Sequence, residues 1–255
     1  METVLSVMDE KMRARFSFVI PTRQEAEYIG RSLRHLVDSR TAQQLDFEII
    51  IVDGKSTDAT VQEATGLADK IITDDPLACA SIAHARNIGA AAASGEFLFH
   101  TDADVIAPDL PGLLSRAARE FGDPRVVAVT APVMPYPWDS TWLDRLIHRI
   151  ANAHFRASFR YGAFFARGEC QIVRRAPFDE VDGYRGDLIS GEDCDLFRRL
   201  GRKGKIIYIP DMCVYHSLRR FRKLGYLRVL GVYVREWMWM SVFRRSFTRE
   251  WTVVR

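Results

Sequence analysis

Short apolar runs alternate with amphipathic segments along the first half of this 255-residue chain. Residues 16–20, 47–52 and 97–99 form three such runs, and each is followed by a polar residue or a proline. Uninterrupted apolar runs are typical of strands buried on both faces, and the intervening segments place apolar residues at helical spacing. The alternation therefore predicts an α/β domain with a mostly parallel central sheet flanked by helices.

The pattern changes from Met134, where Pro135 and Pro137 interrupt it. A predicted helix follows, with an apolar stripe formed by Trp142, Leu146, Ile147 and Ile150. Further strands are predicted at residues 70–72, 126–129, 171–173 and 206–209. We therefore divide the chain into an N-terminal extension (1–15), one α/β domain (16–216) and a C-terminal helical tail (217–255).

The charge balance and the cysteines exclude several classes of protein. A net charge of +3 from 36 basic and 33 acidic side chains gives no overall excess for nucleic-acid binding. The four cysteines are widely spaced, which argues against a disulfide framework or a zinc site and for a reducing setting. Residues 1–15 lack a signal peptide's apolar core, and Arg228, Arg235 and Glu236 interrupt the longest aromatic stretch. We expect a cytoplasmic protein that does not cross a membrane by itself.

Polar residues follow three of the predicted core strands. Pro21 and Thr22 follow the first strand, Asp53 follows the second, and Asp102 and Asp104 follow the strand that ends at residue 99. In parallel α/β sheets, ligands bind beyond the carboxyl ends of the strands, where such side chains converge. Any one of these aspartates is equally well explained as a turn former or helix cap. Their recurrence on neighbouring strands indicates a binding site.

Asp102 and Asp104 form an Asp-x-Asp motif. In an extended segment, alternate residues point the same way and can offer two carboxylates to one hard divalent cation. Mg²⁺ usually keeps one or two protein carboxylates and completes its shell with water and substrate phosphates. The chain contains neither a Gly-x-Gly-x-x-Gly fingerprint nor a P-loop. The motif therefore favours a nucleotide diphosphate bound together with Mg²⁺ or Mn²⁺.

Five segments occur in a specific order along the chain: residues 18–25, 49–58, 85–96, 101–104 and 191–193. In sequence and order they resemble the family 2 glycosyltransferases, and the resemblance covers residues 16–216. It implies a GT-A type, Rossmann-like sandwich in which residues 16–133 bind a nucleotide-diphosphate sugar and residues 134–216 bind the acceptor. It also implies an inverting glycosyltransferase. The Gln-x-x-Arg-Trp signature of processive polysaccharide synthases is absent, which predicts that one sugar is added at a time.

The same resemblance implies roles for individual residues. Binding of the nucleotide is assigned to Pro21, Thr22, Glu25, Asp53, Arg86, Asp102 and Ala103. Binding of Mg²⁺ or Mn²⁺ is assigned to Asp102, Asp104 and His216, and contacts with the acceptor to Gly168, Glu169 and Cys170. Gln24 stands where the family usually has asparagine, and Gly54-Lys55 follows Asp53 where Asp-Gly is common, so uridine and guanosine donors both stay open.

Glu192 and Asp193 begin a predicted amphipathic helix. Carboxylates at a helix start can simply stabilise the helix dipole. The resemblance instead implies that Asp193, with Glu192 beside it, is the general base that removes the acceptor proton during attack on the anomeric carbon. Such assistance is typically worth about 10²- to 10⁴-fold in rate. His216 has a comparable alternative, because a lone histidine after a strand is often structural.

The tail beyond His216 is basic and aromatic. Its basic residues include Arg219, Arg220, Arg222, Lys223, Arg228, Arg235, Arg244, Arg245 and Arg249, and its aromatic residues include Trp237, Trp239, Phe243 and Trp251. This composition suits a helix on an anionic membrane surface, for which the acceptor would be a lipid or polyprenyl phosphate. It equally suits a helix packed on the catalytic domain, or a homodimer contact, with a glycan as acceptor.

Other classes of protein share the α/β pattern. A non-catalytic module for nucleotide sugars or glycans would keep the fold, but the intact Asp-x-Asp motif and Glu192-Asp193 pair argue against it. A nucleotide-sugar pyrophosphorylase would need a glycine-rich, arginine-containing loop near the N-terminus, and none is present. Nucleic-acid binding is not expected, because the tail contains no recognised module.

Overall fold

The computed structural model describes residues 16–73, 81–160, 166–243 and 245–248. The predicted extension (1–15), Cys79 and the tail residues Arg244, Arg249 and Trp251 lie outside these ranges. Within them, seven strands form a central sheet and three strands form a smaller sheet. The domain boundaries drawn from the sequence stay a prediction.

The strands, numbered in chain order, are β1 (Phe16–Thr22), β2 (Phe47–Asp53), β3 (Lys70–Thr73), β4 (Phe97–His100), β5 (Val105–Ile106), β6 (Val126–Thr130), β7 (Val133–Pro135), β8 (Gln171–Arg174), β9 (Lys205–Tyr208) and β10 (Val214–His216). The α-helices are α1 (Ile29–Gln43), α2 (Thr60–Ala64), α3 (Ile82–Ala92), α4 (Leu110–Phe121), α5 (Trp142–Arg160), α6 (Arg175–Glu180), α7 (Glu192–Leu200), α8 (Arg219–Leu224) and α9 (Tyr226–Phe243). A short 3-10 helix covers Pro137–Asp139.

The central sheet has the strand order β3-β2-β1-β4-β8-β6-β9. β1 is parallel to its neighbours β2 and β4, and β3 is parallel to β2. β8 runs antiparallel to β4 and β6, whereas β9 is parallel to β6. The sheet is therefore mostly parallel, as predicted, and the carboxyl ends of β1, β2, β3 and β4 meet at one edge.

The smaller sheet has the order β5-β10-β7. His216 of β10 pairs with Val105 of β5 and with Pro135 of β7. Because β5 begins directly after Asp104, this sheet holds His216 next to the acidic turn that follows β4.

Helices cover both faces of the central sheet, as expected for buried parallel strands. On one face, Leu33 of α1 and Leu110 of α4 pack in one cluster with Phe18 of β1. On the other face, Leu196 of α7 packs with Leu98 of β4. The predicted layered α/β architecture is confirmed.

α3 lies unusually close to the sheet at Gly89. A Cβ atom on Gly89 would lie 2.4 Å from Val19 Cγ1 and 3.1 Å from Val52 Cγ2. Carbon atoms do not approach so closely, so any larger residue would push α3 away from β1 and β2. The close packing holds Arg86, one turn earlier on α3, near the carboxyl edge of the sheet.

The polar side of α5 faces the interior of the protein. Asp144, His148 and Asn152 recur at every fourth position and are buried, whereas the predicted stripe residues Trp142 and Ile150 are exposed. Helical spacing predicted the helix. Its apolar stripe faces outward, because the polar side chains on the opposite side are buried and form hydrogen bonds with groups that are distant along the chain. Each helix that the structure describes is too short or too polar to span a bilayer.

Candidate active site

Thr22 and Asp53 lie opposite each other at the carboxyl ends of β1 and β2. The Thr22 hydroxyl donates a 3.0 Å hydrogen bond to Asp53 Oδ1. Asp53 also accepts hydrogen bonds from the backbone N–H and the hydroxyl of Ser56, at 2.8 and 2.6 Å. The backbone N–H of Gln24, two residues after Thr22, donates to Ser56 Oγ at 2.8 Å. These bonds fix Asp53 beside Pro21 and Thr22, where the sequence predicts the nucleoside.

Arg86 is an arginine with only 1% of its side chain exposed. Its Nη1 donates to Glu192 Oε1 and its Nη2 to Asp102 Oδ1, both at 2.9 Å. Nη2 also donates to the Gly168 carbonyl at 3.3 Å, and a Cβ on Gly168 would lie only 2.5 Å from it. One guanidinium group therefore joins α3, α7, the acidic turn and the loop before β8. The glycine at position 168 leaves space for Arg86.

Asp102 and Asp104 lie in a turn and not in an extended segment. The backbone N–H of Val105 donates to the Asp102 carbonyl at 3.3 Å, which closes the turn. Ala103, between them, is buried in the main core. The two carboxylates consequently meet different partners: Asp102 binds Arg86, whereas Asp104 lies on the side of the C-terminal tail.

Arg219, the first residue of α8, reaches into this acidic region. Its Nη1 and Nη2 donate to the two carboxylate oxygens of Glu25, at 2.5 and 2.7 Å. Its Nε lies 3.4 Å from Asp104 Oδ2, and its guanidinium stacks 4.8 Å from the centre of the Tyr28 ring. The start of the tail is therefore packed on the catalytic domain.

Burial raises the pKa of several carboxyl groups at this edge. The pKa of Asp104 rises to about 7 through burial and the nearby Asp102, and Arg219 offsets only part of this rise. The pKa of Glu192 rises to about 8 through burial and the adjacent Asp193, although Arg86 opposes the shift. Burial also raises the pKa of Asp102 and Asp193. In each case the largest cause is burial, which disfavours the charged form of a carboxyl group.

Glu169 lies beside the buried pair His216 and His148, next to the acidic turn. His216 Nδ1 lies 3.4 Å from Glu169 Oε1, and His216 Nε2 lies 3.0 Å from His148 Nε2. His148 Nδ1 must carry a proton, because it donates to the Asp144 carbonyl at 2.9 Å. Burial lowers the pKa of both imidazoles, that of His216 to about 3, so neutral His148 accepts from His216 Nε2–H. His216 Nδ1 then keeps the lone pair that a metal ligand needs.

The other predicted acceptor residues have structural partners. Arg167 Nη2 donates to Glu169 Oε1 at 2.5 Å. Although burial opposes ionisation, Arg167 holds the pKa of Glu169 at about 2. The Cys170 side chain is fully buried in the main core, and its carbonyl accepts a hydrogen bond from Thr130 Oγ1 at 2.6 Å.

The donor atoms suit a hard divalent cation. Asp102 and Asp104 provide carboxylate oxygens, and burial raises the pKa of both carboxyl groups. In the described ranges, no three His, Cys, Asp or Glu side chains are grouped so that they could hold a metal ion. Since Mg²⁺ needs only one or two protein carboxylates when phosphates complete its shell, the residues fit a cation that arrives with a diphosphate.

The structure brings most of the predicted residues to one edge of the sheet, in two linked groups. Arg86 joins Asp102, Gly168 and Glu192, and the tail's Arg219 joins Glu25 and Asp104. Sequence reasoning missed Arg219, Arg167 and His148 as site residues. Two signals were available: Arg219 follows His216 by three positions, and His148 belongs to a polar stripe with Asp144 and Asn152 at helical spacing.

Fold and site together define an α/β protein of the GT-A type. The chain belongs to glycosyl transferase family 2, whose family model matches residues 17–182. The predictions of a family 2 glycosyltransferase and of its fold are therefore confirmed.

Curated relatives agree with this family. The succinoglycan biosynthesis protein ExoA of Rhizobium meliloti (strain 1021) is 27% identical over 210 residues, which are 80% of this chain and 63% of ExoA. An N-acetylglucosaminyltransferase of Rhizobium leguminosarum bv. viciae is 27% identical over 176 residues, 66% of this chain and 41% of that protein. The chain thus spans between two fifths and two thirds of these relatives.

Solved structures share the fold. The mannosyltransferase PcManGT from Pyrobaculum calidifontis, in complex with GDP-Man and Mn²⁺, matches with a TM-score of 0.62 and 22% identity, over 88% of this chain and 65% of that one. Glucosyl-3-phosphoglycerate synthase from Mycobacterium tuberculosis, in complex with Mn²⁺, UDP and phosphoglyceric acid, matches with a TM-score of 0.61 and 19% identity, over 94% and 82%. S. aureus TarS in complex with UDP-GlcNAc matches with a TM-score of 0.62 and 18% identity, over 80% and 58%.

Proposed function

We propose that this protein transfers one sugar from a UDP- or GDP-linked donor to an acceptor, with inversion at the anomeric carbon. The observation that carries the proposal is the Arg86 cluster, in which one buried cation joins the acidic turn to the Glu192-Asp193 pair. It couples residues assigned to the donor with those assigned to the chemistry. The complexes of PcManGT with GDP-Man and of TarS with UDP-GlcNAc support a nucleotide-sugar donor and leave its base open.

Asp193 is the general base in this proposal. Glu192 is buried and paired with Arg86, whereas Asp193 is partly exposed and has no arginine within hydrogen-bond distance among the described contacts. Burial raises the pKa of Asp193, which makes its carboxylate a better proton acceptor. The acceptor O–H proton passes to Asp193 as the oxygen bonds to the anomeric carbon. The bond to the diphosphate breaks on the opposite side, and the diphosphate leaves with the electron pair.

Asp102, Asp104 and His216 would hold Mg²⁺ or Mn²⁺ when it arrives with the donor's phosphates, since the described side chains do not form a three-ligand metal site by themselves. When bound, the cation supplies positive charge that offsets the negative charge on the leaving diphosphate. His148 fixes the tautomer in which His216 Nδ1 has a free lone pair. The complexes of PcManGT and the Mycobacterium tuberculosis synthase with Mn²⁺ support a divalent metal cofactor.

The experiment is a screen of UDP- and GDP-sugars with Mn²⁺ or Mg²⁺ that measures release of the nucleotide diphosphate. With the nucleotide sugar and metal ion that give activity, Asp193→Asn should lower turnover by about 10²- to 10⁴-fold and keep the affinity for the donor. Asp187→Asn, at an exposed aspartate outside the site, is the matched control and should keep full activity. An active Asp193→Asn enzyme would refute the base assignment. Donor binding by the wild type without any turnover would favour a nucleotide-sugar binding module.

A further inference from the structure

α5 exposes its apolar side and buries its polar side. Trp142, Leu146 and Ile150 lie on one stripe, and Trp142 is 70% exposed, whereas Asp144 on the opposite side is 2% exposed. Exposed apolar residues on a monomer are normal when scattered, but a continuous stripe usually marks a surface that contacts something apolar.

α9 repeats this arrangement. Leu227, Leu230, Val234 and Met238 recur at helical spacing and are all exposed, with Leu227 at 89%. The inner side of the helix contains Val229 and Glu236, which are 2% and 4% exposed. The Glu236 carboxylate accepts hydrogen bonds from the backbone N–H groups of Phe247 and Thr248, at 3.1 and 2.9 Å.

The two helices are fixed to each other and to the candidate active site. Asp144 of α5 accepts a hydrogen bond from Tyr226 at the start of α9, at 2.8 Å. At the other end of α9, a Cβ on Gly191 would lie 3.4 Å from Met240 Cγ, so α9 reaches the residue that precedes Glu192. Both helices are therefore anchored, and the end of α9 adjoins the Glu192-Asp193 pair.

The exposed charged residues that we identify on these helices are all basic. The acidic residues of α5, α8 and α9 are Asp144 and Glu236, and both are buried. Arg149 and Arg156 of α5 and Arg228 and Arg235 of α9 are exposed. A twofold contact between two copies would bring these like charges together, whereas an anionic surface would attract them.

We propose that the outward side of α5 and α9 binds the surface of an anionic lipid bilayer, with the apolar stripes in the interfacial region and the arginines at the headgroups. Apolar side chains flanked by arginines are typical of helices that lie in this region. The surface does not depend on the transfer reaction. It would place the Glu192-Asp193 pair near a membrane-borne acceptor.

The test is co-flotation of the full chain with vesicles of phosphatidylglycerol and phosphatidylcholine, compared with pure phosphatidylcholine. We expect binding to the anionic vesicles that weakens as salt is raised. Arg228→Glu should lower the partition coefficient by at least about fivefold. The double variant Leu227→Ser with Met238→Ser should lower it by at least about tenfold.

Arg202→Glu reverses an exposed charge that follows α7 and is the matched control, with binding expected to stay unchanged. Circular dichroism and thermal unfolding establish that each variant is folded. Equal binding to neutral vesicles, or no effect of the α9 variants, would overturn the proposal. It would also be overturned if sedimentation velocity without lipid shows a dimer that the double variant loses, because a second copy would then cover the surface.

Discussion

The two edges of the central sheet hold buried carboxylates in opposite electrostatic states. At the amino edge, Glu48 accepts hydrogen bonds from Ser17 Oγ at 2.7 Å, from the backbone N–H and the hydroxyl of Ser94 at 2.6 Å each, and from Lys70 Nζ at 3.0 Å. Although burial opposes ionisation, these donors hold the pKa of Glu48 at about 2. At the carboxyl edge, burial raises the pKa of Asp104 to about 7 and that of Glu192 to about 8.

The difference separates a carboxylate that stabilises the fold from carboxylates for which we propose a ligand. Glu48 has a full set of donors and joins β1, β2 and β3 to the loop before β4. At the carboxyl edge, carboxylates outnumber guanidinium groups: Glu25, Asp102, Asp104, Glu169, Glu192 and Asp193 face Arg86, Arg167 and Arg219. Such an excess costs stability and is typical of sites that bind positively charged groups.

The largest expected effect is that of Arg86→Met at the carboxyl edge. Removing the guanidinium breaks the ion pair with Asp102 and leaves the Glu192 carboxyl and the Gly168 carbonyl without their buried donor, which should lower the free energy of unfolding by about 3–5 kcal/mol. Arg116→Met removes partly exposed ion pairs with Glu120 and Asp211 and should cost less than about 1 kcal/mol. Urea unfolding at pH 7 measures both, and equal costs would show that the Arg86 cluster does not hold the site together.

A smaller loss is expected for Glu48→Gln at the amino edge. The amide cannot accept from all of the Ser17 and Ser94 donors, which should cost about 1–3 kcal/mol at pH 7. Because the folded pKa of about 2 lies below the ordinary 4.5, this stabilisation is present above pH 4.5 and is lost as the pH falls towards 2. Unfolding of wild type and variant should therefore converge in acid. Glu96→Gln, at an exposed partner of Arg174, is the control. A gap that persists at pH 2 would contradict the low pKa of Glu48.

The pH dependence of stability at the carboxyl edge should have the opposite sign. Folded Glu192 keeps its proton up to a pKa of about 8, so its contribution to stability is present below pH 4.5 and is lost as the pH rises through 8. Glu192→Gln, which cannot ionise, should lose less stability than wild type between pH 5 and 8. Urea unfolding measures the stability of both proteins across this pH range. If their stabilities change with pH in parallel, the two edges of the sheet do not differ in the protonation of their carboxylates.

The layered fold and the location of the site were predictable because both leave local signals in the sequence. Apolar runs mark strands buried on both faces, and the rule about carboxyl ends of strands selects Thr22, Asp53 and Asp102. The reading of Asp102 and Asp104 as an extended pair was wrong, since the segment is a turn and the two carboxylates meet different arginines.

The residues that sequence reasoning missed depend on partners that are distant along the chain. Arg219 is 194 positions from Glu25, and His148 is 68 positions from His216. The outward stripe of α5 was equally hidden, because the burial of Asp144 depends on Arg222 and Tyr226 of the tail. Helical spacing shows which residues share a side of a helix, but only the tertiary structure determines which side is buried.

We propose that the carboxylates at the carboxyl edge accommodate a divalent cation together with a diphosphate. The decisive experiment is calorimetric titration of the wild type with UDP and with GDP, in Mn²⁺ and in EDTA. We expect Mn²⁺ to raise the affinity for one of the two nucleotides by at least about tenfold, and Asp104→Asn to remove this gain. Equal affinities in Mn²⁺ and EDTA for both nucleotides would contradict this proposal.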